Sequence, residues 1–308
     1  MHVEFGSSLE SVSFLNRLNF LSPFARLRYG KAETGALEFA YSSGAPATEL
    51  LRGDDATNDA ELQHDLTTLS LFPRVSLRGG LAHVQRTQNF EVGYRRMIGK
   101  RTVSISAYKE ASTNTTMNAS IPVDFFGPGE LLPDLASSTS VMNAGRFSRM
   151  GYSAALTQHV NEKLSATVAY GIGGAMTFTS TELTSNDPEQ LRGLIRTKPR
   201  QSLTARVSGV APRAGTRYVA SYQVTDYAAL SPVHLSLTQR ASLEPGLNFY
   251  LRQPVPLMQG MFPGRLEATA EIRNALGQGY ISLATPGGQR VLLVQSPRAF
   301  RGGLSLIF

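Results

Sequence analysis

The sequence predicts an all-β protein, a transmembrane antiparallel β-barrel of about 12 strands with long extracellular loops and short periplasmic turns. Two observations predict this fold. Apolar and polar residues alternate along many extended segments, and the connections between those segments are alternately short and long. Several segments reach the roughly 9–11 residues that a tilted strand needs to cross a bilayer, whereas strands of soluble proteins average about 5–6 residues.

The alternation is clearest in RLEATAEIR (265–273). Four apolar residues there face one way, and arginine, glutamate and threonine face the other. RTVSISAYKE (101–110), LSATVAYG (164–171) and RYVASYQVT (217–225) have the same period of two, which is typical of strands with one apolar and one polar face. The strands are predicted near residues 2–11, 22–30, 35–43, 88–98, 101–110, 148–160, 163–174, 199–210, 215–226, 245–254, 265–274 and 299–308.

The connections predict how these strands are arranged in the membrane. KAET (31–34), GK (99–100), NE (161–162) and PRAG (212–215) are tight turns. The long connections are 44–87, 111–147, 175–198, 227–244 and 275–298. An even strand number places all of the long loops on one side, which we expect to be extracellular. Within them, residues 59–69 predict a short helix, and 281–294 predict a hairpin that turns at Pro286-Gly287-Gly288.

Composition agrees with one membrane-embedded domain over residues 1–308. Of the 308 residues, 42% are hydrophobic and only 17% are charged, compared with about 25% charged in ordinary soluble domains. The net charge is +7, but no dense Lys/Arg block indicates a nucleic-acid partner. There is no cysteine, which excludes thiol catalysis, disulfides and thiolate metal sites. The sequence also has no apolar run long enough for a transmembrane helix. Its first residues do not resemble a secretory signal, so we expect an exported chain that has lost its signal or is a fragment.

The two faces of the predicted strands differ in charge. In a membrane barrel the apolar face meets lipid and the polar face lines the lumen. Arg96 and Arg101 fall on the apolar side, but both lie near the turn at 99–100, where a charge costs little. The candidate lumen residues, which we expect to contact a ligand or a plug, are Arg26, Arg28, Glu38, Glu91, Arg95, Arg206, Arg252, Arg265, Glu267, Glu271, Arg273 and Arg301.

Three motifs resemble one family. GYRRMIGKRTVSISAYKE (93–110) resembles paired strands of TonB-dependent outer-membrane receptor barrels. EATAEIRNALGQGYISL (267–283) resembles their penultimate strand, and SPRAFRGGLSLIF (296–308) resembles their last strand. In that last strand Phe300, Leu304, Leu306 and Phe308 share the lipid side, and an aromatic terminus resembles the signal read by the barrel-assembly machinery.

The resemblance covers about the last two-thirds of the chain and implies a location in a Gram-negative-type bacterial outer membrane. It also implies uptake of a bulky solute such as a metal chelate, a cofactor or a glycan piece. The partners would be outer-membrane lipid and, if a plug domain lies upstream, the TonB energy-coupling system. Receptors of this family have about 22 strands and a plug, whereas this sequence shows about 12 strands and no plug. We therefore expect the C-terminal barrel portion of such a receptor, or a smaller relative.

The expected function is capture of a solute by loops 111–147 and 175–198, followed by passage through an Arg-rich lumen. One alternative for the function is a passive diffusion channel. The alternative for the fold is a soluble β-sandwich or β-solenoid. Another alternative function is that of a lipid hydrolase: the chain resembles outer-membrane phospholipase A in its His234, Ser236 and Asn248. The residues that flank these three differ from that family, so we predict that the protein is not an enzyme. No cofactor or metal site is expected. The histidines lack metal-ligand spacing, and Asp54, Asp55, Asn58 and Asp59 are read as an exposed polar loop.

Overall fold

A computed structural model of the chain describes residues 1–14, 16–44, 74–122, 124–134, 139–226, 228–231, 233, 246–255 and 265–307. Almost all of the regular structure in these residues is β-strand, and the one helix described is α1 (Pro188–Leu194). In chain order the strands are β1 (His2–Phe14), β2 (Asn16–Lys31), β3 (Gly35–Ser43), β4 (Val75–Arg78), β5 (Leu81–Val84), β6 (Arg86–Ile98), β7 (Arg101–Thr113), β8 (Thr116–Ser120), β9 (Leu131–Asp134), β10 (Thr139–Asn143), β11 (Phe147–Asn161), β12 (Leu164–Phe178), β13 (Ile195–Val210), β14 (Arg217–Thr225), β15 (Gly246–Pro254), β16 (Arg265–Arg273), β17 (Ile281–Ala284), β18 (Arg290–Val294) and β19 (Ala299–Ile307).

Twelve of these strands form one antiparallel sheet in the order β1-β2-β3-β6-β7-β11-β12-β13-β14-β15-β16-β19. Each of the twelve predicted segments is one of these strands, so the predicted fold class is confirmed. Every strand of this sheet pairs with the next strand of the sheet along the chain, so the sheet is an antiparallel meander. Among the described residues, no pairing of β1 with β19 is found.

Tight turns join β2 to β3, β6 to β7, β11 to β12 and β13 to β14 at one end of the sheet, which we call the turn end. β6 and β7 are connected by Gly99 and Lys100 alone, and Gly99 has a φ of +60°. A residue without Cβ adopts this left-handed conformation at little cost, which lets the chain reverse in two residues. The turns predicted at 31–34, 99–100, 161–162 and 212–215 all lie at this end.

The opposite end, which we call the loop end, carries structure that the sequence analysis missed. Loop residues form a second antiparallel sheet in the order β17-β18-β8-β10-β9, and β4 and β5 form a separate hairpin. β17 and β18 are the predicted hairpin at 281–294, which is confirmed. β4, β5, β8, β9, β10 and α1 were not predicted. The helix predicted at 59–69 and the acidic loop at 54–59 lie outside the described residues.

The main sheet buries its polar face and exposes its apolar face, the reverse of a soluble sheet. In β11 the pattern is regular: Tyr152 is 68% exposed while the next residue, Ser153, is 6% exposed. Burial of a polar sheet face over so many strands is typical of a sheet that curls around that face, as in a barrel. No helix in the described residues is long and apolar enough to cross a membrane.

Candidate functional site

The first charged group of the buried face lies on β1, β2 and β3. Glu38 accepts a hydrogen bond from Arg28 Nε at 2.8 Å and another from Arg26 Nη2 at 3.4 Å. Arg26 also lies 4.0 Å from the Glu4 carboxylate across the β1–β2 pair. Charges removed from bulk water require a partner, and here arginines and glutamates alternate from strand to strand to supply one.

A second charged group lies on β15, β16 and β19. Arg252 Nε donates to Glu267 Oε2, and Arg273 Nε donates to Glu271 Oε1 at 2.5 Å. Glu271 is directly opposite Arg301 in the β16–β19 register. Both glutamates are buried. These strands therefore repeat the alternation of arginine and glutamate at the other edge of the sheet.

A third charged pair, which was not predicted from the sequence, lies in the middle of the sheet. Glu110 of β7 is opposite Arg149 of β11, with Arg149 Nη2 2.6 Å from Glu110 Oε1. Glu110 follows Thr102, Ser104, Ser106 and Tyr108 on the polar phase of β7. The signal for this pair was thus present in the alternation.

The predicted lumen residues are placed as follows. Arg26, Glu38, Glu91, Arg252, Glu267 and Glu271 are buried, whereas Arg28, Arg95, Arg206 and Arg273 are half-buried. Arg301 is exposed on β19, the edge strand, and the Arg265 side chain lies outside the described residues. The structure brings these residues to one face in separate ion-paired groups rather than in one cluster.

Part of the loop between β14 and β15 folds over the buried face. The described residues of this inward segment are 228–231 and 233. Leu230 N–H donates to the Met176 carbonyl, and Met176 N–H donates to Ser231 Oγ, both at 2.8 Å. The buried Gln223 side chain donates to the Val233 carbonyl at 3.3 Å. The inward segment is therefore held against β12 and β14 on the side that lines the lumen.

At the loop end, β8–β10, β17, β18 and α1 form a structure that we call the loop cap. β18 pairs with β8, joining two loops that are far apart in sequence. Apolar side chains are buried between these elements and β12 and β13, so the cap is held by hydrophobic burial. The buried members include Met117, Leu131, Met142, Met176, Leu183, Leu191, Ile195, Leu230, Leu283, Val291 and Leu293.

An ion-pair network connects α1 to two other loops. Arg192 contacts Glu130 at 2.5 Å and Glu189 at 2.6 Å, and its Nε donates to the Asn143 carbonyl at 2.8 Å. Arg78 of the β4–β5 hairpin contacts Glu189 at 3.0 Å. Burial disfavours the charged form of Glu189, but the attraction of Arg192 and hydrogen bonds from Arg192 and Arg78 outweigh it, so the pKa of Glu189 lies below its usual 4.5.

Asn274 organises the start of the last long loop. It is fully buried with a φ of +46°, its N–H donates to Asn248 Oδ1, and its own Oδ1 accepts from Gln278 N–H. Its Nδ2 donates to the carbonyls of Gln278 and Ser296. Asn274 thus closes the loop from both ends, which gives a physical role to the asparagine within EATAEIRNALGQGYISL (267–283).

The residues of the enzyme alternative are only partly described. His234 and Ser236 lie outside the described residues. Asn248 donates through Nδ2 to the Gly246 carbonyl and accepts from Asn274 N–H. Both the nitrogen and the oxygen of its side-chain amide therefore bond to backbone groups at the ends of β15 and β16. Within the described ranges, no group of three or more His, Asp or Glu side chains is arranged to hold a metal ion.

The outward face of the main sheet is a continuous apolar band. Phe300 and Leu304 of the predicted assembly signal are exposed on it, at 69% and 75%, whereas the side chains of Leu306 and Phe308 lie outside the described residues. A patch of this size is not left in water by a monomeric soluble protein. Other exposed members are Val3, Phe5, Tyr29, Leu37, Phe39, Tyr41, Phe90, Val103, Ile105, Met150, Tyr152, Leu156, Val168, Tyr170, Ile172, Leu203, Val207, Tyr222, Val224, Phe249 and Leu251.

An apolar outer band around a buried polar face defines the class as an antiparallel β-sheet protein of the transmembrane barrel type. Two solved structures with some similarity are the FrpB iron transporter of Neisseria meningitidis in its F3-3 variant (TM-score 0.33) and in the apoprotein form of its F5-1 variant (TM-score 0.32). Each is 13% identical over 94% of this chain and 40% of the other. The chain thus spans about 40% of their length, and scores this low add no weight to the assignment. No family model and no curated protein matches the sequence.

Proposed function

We propose that this chain is an outer-membrane transport barrel of the receptor type, related to the TonB-dependent receptors. One observation carries the proposal: among the described residues, an apolar band faces outward, an arginine- and glutamate-lined face is buried, and long loops fold together at the loop end. In a water-filled barrel this arrangement gives one entrance that is covered by loops and one polar path across the membrane. The loop end would then be extracellular and the turn end periplasmic.

The charged lumen favours a bulky polar solute that carries carboxylate, phosphate or similar oxygens. Glu38 is shared by Arg26 and Arg28, so one guanidinium can turn to a solute oxygen while the other keeps the glutamate neutralised. Such an exchange replaces one charge-assisted hydrogen bond by another and avoids leaving an unpaired buried charge. A metal chelate with acidic oxygens is the substrate class that this chemistry and the family resemblance both favour.

The loops support gated rather than free passage. The loop cap is tied by the β8–β18 pairing and the Arg192 network, and the inward segment lies against β12 and β14 inside. A passive diffusion channel requires a permanently open path through the barrel, whereas in this proposal the loop cap and the inward segment restrict that path. Energy coupling through TonB would supply the opening if a plug domain forms part of the whole protein.

Conductance in planar lipid bilayers tests the proposal. We expect the purified protein to insert and to show little steady current. Replacement of residues 228–231 by two glycines should produce a large ohmic conductance, because the contacts to Met176 are removed. A matched control replaces the turn residues 212–214 by two glycines and should stay silent. A large steady, anion-preferring current from the unaltered protein would contradict the receptor assignment and favour the passive channel.

A further inference from the structure

We propose that the turn end carries a binding surface for the phosphate groups of anionic phospholipids. The surface is the basic collar, formed by Lys31, Arg96, Lys100, Arg101 and Lys163, all exposed. It rests on the proposed function only in that the sheet must be embedded in a bilayer. The collar includes Arg96 and Arg101, the two arginines that the sequence places on the apolar side of their strands. The structure shows which residues lie beside them and where they lie along the strands.

Arg96 and Arg101 lie where the outward apolar rows of two paired strands end. On β6 the outward row includes Phe90 and Tyr94 before Arg96, and on β7 Arg101 precedes Val103. Arg96 is directly opposite Val103, which makes Arg96 and Arg101 diagonal neighbours, about 7–8 Å apart at Cα. Their charged groups therefore emerge at the boundary of the apolar band, the level at which lipid phosphates lie.

The neighbouring turns extend the collar on both sides. Met97 N–H donates to the Ala32 carbonyl at 2.6 Å, which places the β2–β3 turn and Lys31 beside β6. His159 N–H donates to the Lys100 carbonyl at 2.8 Å, which places the β11–β12 turn and Lys163 on the other side. Three adjacent hairpins thus contribute cations to one continuous edge.

The collar has a surplus of positive charge. Only Glu33 and Glu162 are acidic in these three turns, and within the described part of the chain no collar residue forms an ion pair. Arg101 Nε donates to Gln158 Oε1 at 2.9 Å, which anchors the side chain of this exposed residue. By contrast, the lumen arginines Arg26, Arg149 and Arg252 each contact a glutamate.

Lipid phosphate fits this surface better than a protein partner does. Arginine donates two parallel hydrogen bonds to phosphate oxygens, and acyl chains of the same lipid would lie along the outward side chains of Val103 and Ile105. Neighbouring like charges repel each other, and an anionic headgroup between Arg96 and Arg101 would remove that repulsion. Basic residues at a membrane surface attract anionic lipid by roughly fivefold in affinity each, equivalent to about 1 kcal/mol.

The test compares lipid retention by detergent-purified protein in micelles that contain equal amounts of phosphatidylcholine and phosphatidylglycerol, with bound lipid counted by native mass spectrometry. The unaltered protein should retain phosphatidylglycerol preferentially. R96Q/R101Q should weaken that preference by about tenfold or more. The matched control is K109Q/R146Q, which removes two exposed cations at the loop end and should retain the preference.

Three further outcomes separate the explanations. If R96Q/R101Q keeps the preference, or if K109Q/R146Q loses it equally, the collar is not the site and the inference is wrong. If inorganic phosphate displaces the lipid while chloride at equal ionic strength does not, the surface is a free-phosphate site and the lipid assignment is wrong. Failure of the unaltered protein to insert into phosphatidylcholine vesicles, measured by flotation, would instead contradict the proposed membrane function.

Discussion

Glu110 and Arg149 lie directly opposite each other on β7 and β11, and their charged groups are 2.6 Å apart on the buried face of the sheet. Lys109, which precedes Glu110, and Met150, which follows Arg149, are exposed on the other face. One step along either strand thus exchanges a paired, buried charge for a side chain at the outer surface. This relationship summarises how the sheet separates its two environments.

Glu110→Gln is expected to destabilise the protein by roughly 3 kcal/mol, because Arg149 would lose the carboxylate that it contacts. Lys109→Gln, which changes an exposed neighbour, should have little effect. The measurement is the urea concentration at the midpoint of unfolding in lipid vesicles, monitored by resistance to trypsin. Equal midpoints for the two variants would show that the Glu110–Arg149 pair does not stabilise the sheet.

Ile105→Arg is expected to cost roughly 2–4 kcal/mol of stability, because it places a charge on the lipid face well inside the apolar band. Ile98→Arg is the control, since Ile98 is similarly exposed but ends β6 beside the turn. Its cost should be about 0–1 kcal/mol. Reversible unfolding in bilayers would measure both free-energy costs. Equal costs for Ile105→Arg and Ile98→Arg would contradict the placement of this face in the membrane.

Asn274→Ala is expected to destabilise the loop that follows β16 by about 2–3 kcal/mol, because four hydrogen bonds lose a partner or their geometry. Asn274→Gly keeps the left-handed backbone but loses the side-chain bonds, so it separates the two contributions. Limited proteolysis of residues 275–298 reports the effect. If the glycine variant is cleaved no faster than the native chain, the side-chain bonds contribute little.

Acidification is expected to loosen the ion-pair network of the loop cap. Because the folded pKa of Glu189 lies below 4.5, its ion pairs stabilise the cap above that pH, and this contribution is lost as pH falls through the folded pKa. The chain has no tryptophan, so Phe125→Trp supplies a single reporter beside the cap cluster. Its emission should shift to the red as pH falls below about 4.5 and through the folded pKa, and Glu189→Gln in the same background should lack that step.

The regular part of this fold is readable in the sequence because period-two alternation is a local property. RLEATAEIR predicts β16 and its polar face without knowledge of any partner strand. The same rule predicts Arg26, Glu38 and Glu267 on the buried face. What alternation does not specify is which carboxylate each arginine contacts, since pairing depends on the register between strands that are adjacent only in the folded chain.

The loop cap shows where sequence reasoning fails. β8 and β18 pair although about 170 residues separate them, and segments of four or five residues carry too few alternations to be recognised. The helix α1 did have a local signal, since Asp187 caps it and Pro188 follows. Loops 111–147 and 175–198 were predicted as ligand-capturing loops, and their role in ligand capture stays a prediction.

Lipid access along one strand tests the central claim most directly. The cysteine-free chain allows single cysteines at 103, 104, 105 and 106 of β7 to be labelled with a fluorophore and reconstituted with lipids that carry a quencher on the acyl chain. We predict strong quenching at Val103→Cys and Ile105→Cys and little at Ser104→Cys and Ser106→Cys. Uniform quenching along the strand, or none at any position, would contradict a sheet whose apolar face meets lipid and whose polar face lines a lumen.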